Sequence, residues 1–128
     1  MESSTLRQRK QRAAIIEPQA LFVPYLVATL RRTGADVVRA APSIPSQQLS
    51  RLAPDLLLVA IDECRAPLAV VRRLRRLLPA ARIVLYTHVA DPVWGAVARG
   101  LGADAVVGPA DDEPELVSAC MATTAISG

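Results

Sequence analysis

Short apolar runs alternate with helical stretches along the chain. Residues 13–17 (AAIIE) read as a buried strand, and the apolar stretch 20–33 as a helix that Gly34 stops. A second strand, 36–40 (DVVRA), leads into the Pro- and Ser-rich link APSIPS and a short helix over 47–52. Pro54-Asp55 precedes the strand LLLVAI (56–61), Pro67 opens a helix to Leu78, and Pro79 ends it. RIVLY (82–86) is the fourth strand, Asp91-Pro92 starts a helix ending near Gly100, and AVV (105–107) is the fifth. Pro114 sits at a first helical position for the last helix. Continuous Val, Ile and Leu strands separated by helices predict a parallel sheet covered on both faces, hence a doubly wound α/β fold.

Composition narrows the class. The 128 residues suit one core, divided as a basic tail (1–11), a domain (12–122) and a C-terminal tail (123–128). Although 52% of residues are apolar, no run approaches the roughly 20 needed to span a bilayer. Nothing after the basic N-terminus resembles a signal peptide, because residues 13–17 are too short and end in a carboxylate. Cys64 and Cys120 lack metal-like spacing and suggest reduced thiols, so the cytoplasm is the expected location. Net charge is +3, with Arg7, Arg9, Lys10 and Arg12 crowded in and directly after the tail and Arg72, Arg73, Arg75 and Arg76 in one short segment. Lys10 is the only lysine.

Three motifs carry a resemblance when taken in order: APDLLLVAID after a short helix, IVLYTH at the fourth strand, and GADAVVGPADDEPEL near the end. With them the chain resembles the receiver domains of two-component response regulators, of the chemotaxis-regulator type, over about residues 12–122. The resemblance implies a flavodoxin-like five-stranded sheet of order 2-1-3-4-5, with reactive groups at the carboxyl ends of the strands.

The family pattern transfers residue by residue. The two acidic positions after the first strand are Glu17 and Pro18 here. The phosphate-accepting aspartate, six residues after the proline of Pro-Asp-Leu, falls on Ala60. Thr87 keeps the hydroxyl position after the fourth strand, and Gly108-Pro109 stands where the lysine would be. A methyl group supplies no nucleophilic oxygen. Glu17 alone holds Mg²⁺ only weakly, and no lysine in the domain offsets phosphoryl charge. The pattern therefore implies a degenerate pseudo-receiver, not an enzyme, with no phosphotransfer at Ala60, no metal and no cofactor.

Asp62 is the alternative acceptor. Two residues on, a strand returns to the same face about 6.6 Å further along, and an irregular strand end would swing Asp62 into the vacated pocket. The simpler expectation is a solvated loop carboxylate or helix cap. His88 is open to the same two readings, a phosphoacceptor or proton sensor against a merely exposed side chain.

Two helices offer surfaces. In 67–78, Val70, Val71, Leu74, Leu77 and Leu78 form one apolar stripe, with the four arginines expected opposite. That arginine face is a solvated surface or a dock for an acidic partner; with 3% aromatic residues and no recognition-helix motif, nucleic acid is not expected as a direct partner. The first helix is apolar nearly all round, so part of it, including Phe22 and Tyr25, is expected at a contact surface. Val93, Trp94 and Val97 are expected at another, because in receivers this helix borders the output face. The candidate interaction residues are thus Phe22, Tyr25, Val93, Trp94, Val97, Arg72, Arg73 and Arg76. The expected partners are proteins (a signalling kinase, a regulator or a second copy of the chain), with no membrane. Two function classes follow: a phosphorylation-independent interaction module, or the receiver part of a transcription regulator whose DNA-binding domain would lie beyond the linker-like tail MATTAISG.

Overall fold

The computed structural model describes residues 10–62, 64–88, 91–108 and 113–121. Residues 1–9 of the basic tail, the C-terminal tail, Pro109, Glu63 and the side chain of Pro114 lie outside the described set. The strands are β1 (Arg12–Ile16), β2 (Asp36–Ala41), β3 (Leu56–Ala60), β4 (Arg82–Tyr86) and β5 (Ala105–Val107). The helices are α1 (Val23–Arg32), α2 (Ser46–Leu52), α3 (Pro67–Leu77), α4 (Pro92–Leu101) and α5 (Glu113–Met121). All strand pairs are parallel, in the order β2-β1-β3-β4-β5. The fold is the expected doubly wound, flavodoxin-like α/β architecture.

Every residue of the central strand β3 is buried, as a strand covered on both faces requires. Alternation divides its side chains between two cores. Leu57 and Val59 join Ala14, Ile83, Leu85, Leu49, Val71, Leu74 and Ala98, under α2, α3 and α4. Leu56 and Leu58 join Ala13, Ile15, Val84, Leu26, Leu30, Leu116 and Cys120, under α1 and α5. One register shift interrupts the β1–β2 ladder, between Ala13 and Ala14.

Element boundaries moved where local chemistry outweighs periodicity. The predicted first helix begins as a 3-10 turn, Ala20–Phe22, and becomes α-helical only at Val23, with Pro24 in its first turn. Gly34 follows that helix at φ +91°, the left-handed conformation that favours glycine. Helix α4 starts as expected, since the Asp91 side chain accepts from the Val93 amide at 2.9 Å. Helix α5 begins one residue before Pro114.

The expectation for α3 needs correction at Arg75. Arg72, Arg73 and Arg76 are exposed, but Arg75 turns back to the protein. Its guanidinium donates to the carbonyls of Gly102 (2.9 Å), Leu78 (3.1 Å), Pro79 (3.1 Å) and Ala81 (2.8 Å), and pairs with Asp104 at 2.7 Å. The long aliphatic stem lets a polar head fold back over the end of its own helix. Among the described residues, no helix is long and apolar enough to cross a membrane.

Candidate functional site

The carboxyl edge of the sheet gathers the transferred positions. Glu17 follows β1 and is only 3% exposed; its amide donates to the Ala41 carbonyl and its carboxylate accepts from the Gln19 amide, both at 3.0 Å. Ala60 is the last residue of β3 and pairs in register with Tyr86. Thr87 follows β4, is 1% exposed, and its amide donates to the Val107 carbonyl at 3.0 Å. Gly108 follows β5 and is half-buried. Pro18 is exposed and, like Ala60, lines a cavity between the ends of β1 and β3 and helices α2 and α3.

Asp62 departs from the simpler expectation. It is an exposed turn residue, as that expectation had it, but its carboxylate is hydrogen-bonded within the protein rather than free in solvent. The chain leaves β3 at Ala60, the Ile61 amide bonds the Tyr86 carbonyl at 3.2 Å, and Asp62 turns toward the end of β4. There its Oδ1 accepts from the Thr87 hydroxyl at 2.5 Å, and its Oδ2 accepts from the His88 amide at 2.8 Å. His88 Nδ1 lies 2.5 Å from the same Oδ2. His88 is therefore more than an exposed histidine, although 54% of its side chain faces solvent.

Partial burial of Asp62 acts to raise its pKa, but the hydrogen bonds from Thr87 and His88 favour the charged form and together hold it below 3.8. Asp62 is thus a carboxylate at neutral pH.

Tyr86 also belongs to this corner and escaped the sequence reading. Its ring meets His88 edge-on, with centroids 6.0 Å apart. Burial raises the phenol pKa, and nearby Tyr25, Glu17 and Asp62 raise it further. The signal for Tyr86 was its place at the end of a strand beside Thr87, but an aromatic there reads equally well as core. No three His, Cys, Asp or Glu side chains converge as metal ligands among the described residues.

The candidate interaction residues lie on both sides of the sheet rather than in one patch. Phe22 (37% exposed) and Tyr25 (43%) sit on the side of α1 and α5. Val93 (71%) and Val97 (45%) project from α4 on the other side. Trp94 is half-buried and packs on the core beneath α4, while Arg72, Arg73 and Arg76 form the exposed face of α3.

No protein-family model and no curated protein matches the chain. Solved structures do. A two-component response regulator of the LuxR family from Aurantimonas sp. is 24% identical, with a TM-score of 0.75 over 91% of this chain and 86% of that one. The isolated receiver domain of RcsB from Salmonella enterica serovar Typhimurium, with a beryllofluoride phosphomimetic, is 15% identical, with a TM-score of 0.75 over 93% and 89%. A Burkholderia pseudomallei protein described as pilus assembly-related is 20% identical, with a TM-score of 0.73 over 90% of each chain. At these identities the likeness is one of fold, and the fold is that of response-regulator receiver domains.

Proposed function

We propose that the chain is a pseudo-receiver, a protein-interaction module of bacterial signal transduction or regulation that works in the cytoplasm without phosphorylation or an enzymatic step. The observation that carries this reading is the end of β3. By the resemblance the acceptor position falls on buried Ala60, and the alternative carboxylate, Asp62, is engaged by Thr87 and His88. The sole lysine of the chain, Lys10, precedes β1. Partner binding then replaces phosphorylation as the input that shifts the population of surface conformations. Val93 and Val97 on α4, and Leu21, Phe22 and Tyr25 by α1, are exposed apolar groups suited to such contacts.

A second reading rests on the Asp62–Thr87 bond, which sets a carboxylate against the hydroxyl that receivers retain. In that reading Asp62 is a displaced phosphoacceptor. A third makes the chain the receiver of a transcription regulator, favoured by its likeness in fold to the LuxR-family response regulator.

Amide NMR spectra with and without beryllofluoride and Mg²⁺ separate the first two readings. The pseudo-receiver reading expects superimposable spectra; saturable shifts around Asp62 and Thr87 would favour the displaced acceptor. Gel filtration with light scattering, repeated on Phe22→Ala and Val93→Ala, tests whether a second copy is the partner. The transcription-regulator reading is decided by whether a helix-turn-helix domain follows Gly128 in the native protein.

A further inference from the structure

A cavity of about 260 Å³ opens beside the carboxyl ends of β1 and β3, on the face covered by α2 and α3. Its walls are apolar: Ile16, Ile44, Leu49, Val59 and Leu74. Ser43, Ser46 and the Cys64 thiol add the polar groups at its rim. Among its described lining residues there is no carboxylate, and the one charged group is Arg73. Arg73 is exposed and makes no hydrogen bond or ion pair among the described residues. Arg72 and Arg76 flank it on α3 and add to the positive potential.

We propose that this cavity binds a small amphipathic carboxylate, with the apolar body between α2 and α3 and the anionic head on Arg73. Size sets the first limit: the volume lies just below the usual range of drug-sized pockets and suits a smaller ligand. Charge sets the second. An apolar enclosure whose one charged residue among the described lining is an exposed guanidinium matches an anion joined to a hydrocarbon, and disfavours an amine of the same length. Ala60 and Pro18 line the cavity but Asp62, Thr87 and His88 do not, so binding here does not depend on whether Asp62 accepts phosphate.

The probe is octanoate, titrated into the full chain and followed by amide NMR, with octanol and octylammonium as controls. The expected result is saturable shifts at Ile44, Val59, Cys64 and Val70, and slower labelling of Cys64 by a maleimide at saturation. Arg73→Gln, at an exposed position, should weaken octanoate about tenfold while leaving octanol unchanged. Ser43→Trp, a bulky group at an exposed rim position, should weaken both. Equal octanoate affinity in wild type and Arg73→Gln, shifts confined to another surface, or unprotected Cys64 would each overturn the proposal.

Discussion

The Thr87 hydroxyl donates to the Asp62 carboxylate at 2.5 Å, tying the turn after β3 to the end of β4. The neighbouring His88 closes the other oxygen of the same carboxylate through its amide and its ring. The side chain two residues beyond Ala60 is therefore held by the hydroxyl and the amide at the end of β4.

This arrangement predicts a pH-dependent contribution to stability. Asp62 has a folded-state pKa below its ordinary 3.8, so its stabilisation is complete above that value and is lost as pH falls through the depressed one. Asp62→Asn should be less stable than wild type by about 1 kcal/mol at neutral pH. In urea unfolding the gap should close as pH drops below 3.8; a gap independent of pH would mean that the charge contributes nothing.

The two thiols should differ sharply in reactivity. Cys120 is fully buried, and burial pushes its pKa up to about 11, against a smaller opposing effect of Arg82. Cys64 is only partly buried. At pH 8 in native protein, an Ellman assay should show one fast thiol, removed by Cys64→Ser, with Cys120 reacting only on unfolding.

Arg75 should matter far more than its neighbours on α3. Arg75→Ala removes a guanidinium shared among four carbonyls and Asp104, and should cost about 2 kcal/mol. Arg72→Ala should stay within about 0.5 kcal/mol. Gly102→Ala should also destabilise, because Gly102 has φ +131° and an added Cβ would lie 2.6 Å from the Arg75 Cβ. Chemical denaturation of the three variants checks the order.

In the core, Leu58→Ala should cost about 3 kcal/mol, since Leu58 is fully buried at the centre of β3. A loss below about 1 kcal/mol in thermal or urea unfolding would contradict the assignment of β3 as the central strand.

The architecture was legible because burial on both sheet faces leaves uninterrupted apolar runs such as Leu56–Ala60, and because Gly34, Pro67 and Asp91-Pro92 mark helix ends. The fourth and fifth strands fell on the residues expected, Arg82–Tyr86 and Ala105–Val107. Side-chain reach was not legible. Asp62 lies just past a strand, where its direction depends on the turn rather than on alternation. Arg75 follows Leu74 on α3 and reads as solvent-facing by periodicity, yet its head crosses to Gly102 and Asp104. The cavity beside Ala60 depends on how α2 and α3 are spaced, which no residue pattern along the chain encodes.

The central claim is that no acyl-phosphate forms at the carboxyl edge of the sheet, where Ala60 offers a methyl group and Asp62 is already engaged. Intact-protein mass spectrometry after incubation with acetyl phosphate and Mg²⁺ tests it most directly. The account predicts an unchanged mass in wild type and in Asp62→Asn alike. A stoichiometric gain of one phosphoryl group that hydroxylamine removes and Asp62→Asn abolishes would contradict it.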